Sequence, residues 1–456
     1  MSTSIMRGSL LASKNQAEWW LDKLALLVLG AGAYGMAVAH PFFWEDWNNF
    51  MQGHKLWTLE PVFSGGRGAG RMVGNFLTYF LIGNPFGLVQ LGELVGVACL
   101  AIFIWGLLRA ETLWVRTLLS SLFVFGFPYF VHGVAFQSIG NNHGISTLIF
   151  IWFLSMITRV YDKAGWKNHV SVAISAALLA MAYEPWLLFL CGFTLAVIVV
   201  KFAPVLFGRL HIYKMGDWRS LALVLTIGGC LLLRAFTLES QASSPKLLTL
   251  SALFQLCVAT ARVCLNIFVD SLPIGALIGF GVIRSSERFT FSKLGLWPYL
   301  LFGSMFAAVS VNFFYGVVLH GTMDWRARYV IILELTAFYF SLPWGAMSAW
   351  VQKHTGIRPN RGIAFLAALL SLKLAYTIWF TFIVTPVDRW GWLQYRSRIL
   401  ARDPSVLQDF TDFGQCDGKY CYSFSGPGFA HSHISQYWEG GTAARLLSWL
   451  PIEGFY

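Results

Sequence analysis

Apolar runs of roughly twenty residues, each long enough to cross a bilayer as a helix, recur along most of this chain. A lipid core offers no water to backbone N–H and C=O groups, so such runs satisfy those groups internally, as helices do. Composition agrees: with 56% hydrophobic and 12% charged residues and a mean hydropathy of +0.60, the chain is far from a soluble globular protein, which carries about 25% charge. The reading is an all-α polytopic membrane protein. The net charge of +11 raises a nucleic-acid partner, but the lysines and arginines sit mostly in short segments between apolar runs. There they set orientation and favour anionic headgroups.

About eleven spans are predicted, near residues 22 to 39, 87 to 108, 117 to 135, 145 to 158, 170 to 183, 186 to 202, 220 to 235, 265 to 283, 295 to 318, 329 to 350 and 362 to 386. An odd number places the termini on opposite sides. Basic residues at Arg7, Lys14, Lys23, Arg109, Arg116, Arg159, Lys163, Lys167, Lys201, Arg209, Lys214, Arg219, Arg284, Arg288, Lys293, Lys353, Arg358 and Arg361 then share one face. The positive-inside rule makes that face cytoplasmic, with the N-terminus inside and the C-terminus outside. Residues 1 to 21 read as a retained tail, because no small-residue cleavage site follows a short apolar segment.

Two amphipathic stretches fall outside this count. Residues 72 to 82 place Met72, Val73, Phe76, Leu77, Phe80 and Leu81 on one helical face, which suits a helix lying in the outer interface. Residues 249 to 262 behave likewise, and a polar stripe of Ser251, Gln255, Arg262, Asn266 and Asp270 continues into the next span. The chain thus divides into a transmembrane module, 1–386, with its outer loop at 40–86, and a small extracytoplasmic region, 387–456. Cys416 and Cys421 lie in that last region, where a pair outside the cytoplasm can oxidise and close a small loop.

The candidate chemistry gathers at the outer ends of the spans. The loop from His40 to Arg71 holds the acidic pair Glu45 and Asp46 in FWEDWNNF and the glycine-framed Arg67 and Arg71 in GGRGAGR. A carboxylate beside bulky aromatics at the bilayer edge is partly desolvated and prepared to accept a proton. Arginines among glycines can bring a permanently charged fork close to a phosphate. Each group has a structural alternative: a solvated loop with a helix N-cap for the acids, and snorkelling anchors for the arginines. GNNHG, from Gly140 to Gly144, reads first as a tight extramembrane turn, with Asn142 and His143 as candidate ligand contacts. Glu184 sits at a helix end between Tyr183 and Pro185, and Arg326 and Arg328 lie in the WRARY run that could equally be an aromatic and basic belt. Glu93, Glu334 and Lys373 fall inside predicted spans, where ionisable groups face a cavity or one another.

A first span, an outer loop opening on Glu45 and Asp46, a downstream GR motif at Gly65 to Arg71, an interfacial helix and about eleven spans together resemble the GT-C superfamily of integral-membrane glycosyltransferases. The short DW pairing ahead of a QG and a later GR is similar to bacterial and phage glucosyltransferases that decorate O-antigen. The resemblance implies an inverting transfer of a sugar, such as glucose, from a polyprenyl-phosphate carrier to a lipopolysaccharide or other glycan acceptor. The reaction would take place on the periplasmic side of a bacterial inner membrane, with a flippase and a donor synthase as possible partners. Carried over by position, Asp46 or Glu45 is the base, and Arg67, Arg71, Arg326 and Arg328 hold the donor phosphate. Trp47, Asn142, His143 and Glu184 contact substrate. No cofactor is implied, and a divalent ion at the carboxylate pair is left open.

The rival from another class is a transporter or lipid-linked sugar flippase. It is expected to show internal repeats and ionisable groups near the midplane, whereas here no repeat is evident and the ionisable residues collect at one face. A membrane acyltransferase, with His132 or His143 as base, is a further alternative.

Overall fold

A computed structural model describes residues 72–77, 137–162, 165–202, 217–237, 249–285, 295–318, 323 and 325–356, with isolated positions at Trp20, Leu21, Lys23, Leu24, Leu27 and Ala368. The described chain is helical, in the order α1 (Met72–Asn75), α2 (Gln137–Asp162), α3 (Trp166–Ala180), α4 (Glu184–Phe202), α5 (Asp217–Thr237), α6 (Leu250–Ser285), α7 (Trp297–Val318), α8 (Trp325–Ser341) and α9 (Trp344–Thr355). Three of these, α2, α6 and α7, are long and apolar enough to cross a membrane, and α8 with α9 makes a fourth if the bent pair is one span. The spans expected at 22–39, 87–108, 117–135 and 362–386, the loop at 40–71 and the tail at 387–456 lie outside the described residues, isolated positions aside.

Among the expected spans that are described, three details change. GNNHG is not a turn but part of the first two turns of α2. Two glycines cost a helix about 1 kcal/mol each relative to alanine, and burial of the helix outweighs that local preference: His143 is 1% exposed, and its carbonyl accepts hydrogen bonds from the Ser146 and Thr147 hydroxyls. Residues 249 to 262 are not a separate interfacial helix. They are the first turns of the continuous 36-residue α6, which carries Pro273 within it. At 1.5 Å per residue such a helix is about 54 Å long, well beyond a hydrocarbon core of about 30 Å. The span expected at 329–350 breaks where Leu342 and Pro343 interrupt it, and α9 leaves α8 at 65°. A proline disfavours helix in the residue before it. The carbonyl of Tyr339 at that break is taken up by the Trp344 indole N–H at 2.8 Å.

The most extensive packing is between α4 and α7. They cross at Gly192 and Gly303, where a Cβ added to Gly192 would come within 2.6 Å of Phe306 Cβ and one added to Gly303 within 3.0 Å of the Phe189 ring. Small residues at a crossing let membrane helices approach closely and gain dispersion contacts. Around that crossing lie the largest fully buried side chains, Phe153, Trp186, Phe189, Phe193 and Tyr299. The α8 helix is enclosed: every residue from Tyr329 to Ser341 is buried, and α6, α7 and α4 pack against it. On α6, Gly275 makes room for the Tyr339 ring and Gly279 for the Trp344 ring.

Polar side chains tie the same helices together. Ser271 of α6 donates to the Phe268 carbonyl at 2.7 Å, and its Oγ lies 2.8 Å from the Tyr339 hydroxyl of α8. Asn312 of α7 donates through Nδ2 to Thr260 of α6 at 2.8 Å and accepts the backbone N–H of Met323 at 3.1 Å. One amide thereby fixes two helices and the approach to α8.

Candidate functional site

The α3 helix ends at Ala180, and three residues turn the chain into α4. The Met181 N–H closes on Ala177 O at 3.0 Å and the Ala182 N–H on Leu179 O at 3.0 Å. Glu184 opens α4, where the positive end of the helix dipole favours an acid. Pro185 follows in the first turn, where a missing backbone N–H costs nothing. Glu184 therefore has a helix-starting role whatever else it does.

That turn is also a docking point. The Gly74 N–H of α1 donates to the Met181 carbonyl at 3.0 Å, so the short amphipathic element is pinned to the α3–α4 turn across more than a hundred residues of sequence. Of this element Gly74, Asn75 and Leu77 are buried, while Phe76 is exposed. The described part of the 72–82 stretch ends at Leu77.

Beside the turn, three aromatic rings from three parts of the chain meet. His143 of α2 stacks on Tyr329 of α8 with centroids 5.3 Å apart, and packs tilted against Tyr183 at 5.5 Å. All three are buried. Tyr183 is followed in sequence by Glu184, and Tyr329 is preceded by Arg328, which is half-buried. The starts of α2, α4 and α8 and the α1 element thus converge at one end of the bundle. They bring together an imidazole, two phenols and the backbone positions of an acid and a guanidinium.

The expected site residues fall into three groups. His143, Glu184 and Arg328 lie at this end of the bundle. Asn142 and Arg326 are placed only as backbone positions, in the opening turns of α2 and α8. Glu45, Asp46, Trp47, Arg67, Arg71, Cys416 and Cys421 lie outside the described residues. Sequence reading singled out the charged members and passed over the residues that connect them, Tyr183 and Tyr329. The available signal was that Glu184 and Arg328 each have a tyrosine as immediate neighbour, in YEP and in RARY. Among the described residues no three His, Cys, Asp or Glu side chains gather as a metal-holding group. At this end of the bundle a buried imidazole and two buried phenols lie beside the opening turns that carry Glu184 and Arg328.

A second polar position lies deeper. Glu334 is 0% exposed on the enclosed α8, and among the described residues neither carboxyl oxygen has a hydrogen-bond partner. Buried polar groups are nearly always paired, and ionisable residues inside membrane bundles are costly and usually functional. It lies five residues beyond Tyr329, about 7.5 Å further along the helix axis.

No protein-family model matches this chain, and no curated protein matches its sequence.

Proposed function

We propose that this protein is a glycosyltransferase of the GT-C kind, moving a sugar from a polyprenyl-phosphate carrier to a surface glycan at the outer face of a bacterial inner membrane. On this reading the full chain has about eleven spans. The observation that carries it is the pinning of the α1 element to the α3–α4 turn beside the His143, Tyr183 and Tyr329 rings. A lipid-linked donor keeps its tail in the bilayer and its sugar phosphate at the interface. Its reaction centre therefore belongs where an amphipathic element meets the ends of spanning helices. Aromatic rings suit packing against a sugar, and Arg328, with Arg326 two residues before it in sequence, is assigned the phosphate's charge. Asp46, with Glu45 as its alternate, is assigned as the base that takes the acceptor's proton as the bond to the anomeric carbon forms. The lipid phosphate departs as an anion, and stabilising such developing charge commonly contributes more to catalysis than any other effect.

The test is transfer of label from a radiolabelled polyprenyl-phosphate sugar to lipopolysaccharide by purified protein, beside the Asp46→Asn variant. Label transferred by the parent and not by the variant supports both the reaction and the base. No transfer across a panel of sugars and acceptors rejects the reading.

One observation favours a second reading, a transporter or lipid-linked sugar flippase. An enclosed helix carrying an unpartnered carboxyl and ending in a sharp break resembles the interrupted helices at transport sites. Substrate uptake or lipid flipping by reconstituted protein, lost on Glu334→Gln, would favour this alternative.

A further inference from the structure

The α9 helix differs from every longer helix in the bundle: its described residues include none that are buried. It begins where α8, 17 residues and so about 25 Å long, has crossed most of a hydrocarbon core. It leaves α8 at 65°, so it runs far more nearly across the bundle than along it. Its start is held by Trp344, whose indole N–H binds the Tyr339 carbonyl and whose ring rests over Gly279 of α6. Its end is set by Gly356 in the left-handed conformation, with φ +65°.

Between those fixed points the exposed side chains form a pattern. Met347 is 42% exposed and Trp350 62% exposed. At three residues apart they project from adjoining parts of one face. His354 lies over the Trp350 ring with centroids 4.6 Å apart, and Lys353 and His354 occupy the last turn. A short helix with an exposed tryptophan and methionine beside basic side chains has the makeup of a segment lying in the headgroup region. The helix carries Lys353 and His354 in its last turn and no acidic residue of its own, so an anionic headgroup complements it.

We propose that α9 is a membrane-surface binding element for anionic phospholipid headgroups, at the end of the bundle opposite the His143 cluster. Met347 and Trp350 enter the acyl boundary, and Lys353, with His354 held on the Trp350 ring, meets the lipid phosphate. The packing of Trp344 on α6 holds α9 in place.

The experiment places a photoreactive benzophenone side chain at Trp350, and separately at Ala349 as a comparison position, in full-length protein. The protein is held in nanodiscs of equal phosphatidylcholine and phosphatidylglycerol. Irradiation at position 350 is expected to give lipid adducts with phosphatidylglycerol favoured about fivefold, the ratio that roughly 1 kcal/mol per lysine near the surface produces. Fewer adducts are expected from position 349. Lys353→Gln with His354→Gln should bring the ratio to about one while the lipid adduct remains, and Lys353→Arg should preserve it. Cross-linking to a second copy of the chain, absence of lipid adducts at 350, an equal lipid ratio in the parent, or a ratio untouched by the glutamine substitutions would each overturn the proposal. Unchanged thermal unfolding of the variants keeps these outcomes separate from misfolding.

Discussion

A Cβ placed on Gly192 of α4 would lie 3.0 Å from the Cα of Gly303 on α7, so the two backbones meet with almost nothing between them. Gly192→Ala would also press on Phe306 Cβ at 2.6 Å, an atom fixed to its own backbone. Overpacking of this sort costs about 1–3 kcal/mol, and Gly192→Leu should cost more. Lower thermal unfolding midpoints in detergent, larger for leucine than for alanine, are the expected result.

Ser271 and Tyr339 make an unequal pair. Because Ser271 already donates to Phe268 O, the tyrosine hydroxyl is the donor between them. Tyr339→Phe then removes one interhelical bond, worth about 0.6 kcal/mol in a membrane bundle. Ser271→Ala instead leaves the buried Tyr339 hydroxyl without this acceptor and should cost about 1–3 kcal/mol. A double-mutant cycle by chemical denaturation is expected to show the combined variant less destabilised than the sum.

Asn312 uses both ends of its amide. Asn312→Asp retains an oxygen for the Met323 N–H but loses the donor to Thr260, whereas Asn312→Ala loses both. The alanine variant should be less stable than the parent by about 1–3 kcal/mol, and the aspartate variant adds the desolvation of a buried carboxyl to its lost donor. The alanine variant should also speed amide hydrogen exchange at Met323, which the aspartate variant largely protects.

Replacing the carboxyl of Glu334 by an apolar side chain of similar size removes a buried group that has no hydrogen-bond partner among the described residues. Glu334→Leu is expected to raise stability by about 1–3 kcal/mol. The same variant should lose transfer or transport activity, the usual trade between stability and a strained functional position. An unfolding midpoint measured beside an activity assay checks both halves, and a destabilised Glu334→Leu would count against the unpaired geometry.

The His143 cluster separates packing from chemistry. His143→Phe keeps a ring against Tyr183 and Tyr329, so stability should change by less than about 1 kcal/mol, whereas His143→Ala forfeits two aromatic contacts worth about 0.5–1.5 kcal/mol each. If the imidazole contacts substrate, both variants lose activity at least about tenfold, a barrier increase of about 1.4 kcal/mol. An active, stable His143→Phe would reduce His143 to a packing residue.

Much of the helical framework was legible in sequence because long apolar runs leave little choice of local structure: the expected 186–202 and 295–318 spans lie within or nearly coincide with α4 and α7. Local signals misled where tertiary packing outweighed them. Gly140 and Gly144 wrote a turn into GNNHG, yet the packing of α2 from His143 onward outweighed that signal and the stretch is helix. The amphipathic face of residues 249 to 262 suggested a helix lying in the interface ahead of the span, although the polar stripe from Ser251 to Asp270 already ran on into it, as the single helix α6 does. At the candidate site, Glu184 and Arg328 stood out because charge is rare here. The stacking of His143 on Tyr329 was invisible because which rings meet depends on how α2 and α8 are brought together, and no spacing along the chain encodes that.

The enclosure of α8 also bears on how the protein is made. With Arg326 and Arg328 at its start and Glu334 near its middle, this helix would sit poorly in lipid alone, where a charged side chain at the helix centre costs about 2.5–3.5 kcal/mol to insert. Its described neighbours α4, α6 and α7 all precede it in the chain. Synthesis therefore delivers the socket before the helix that fills it. Deleting α6 and α7 together, which keeps the orientation of α8, should leave a nascent chain whose least lipid-compatible segment emerges without the surfaces that shelter it.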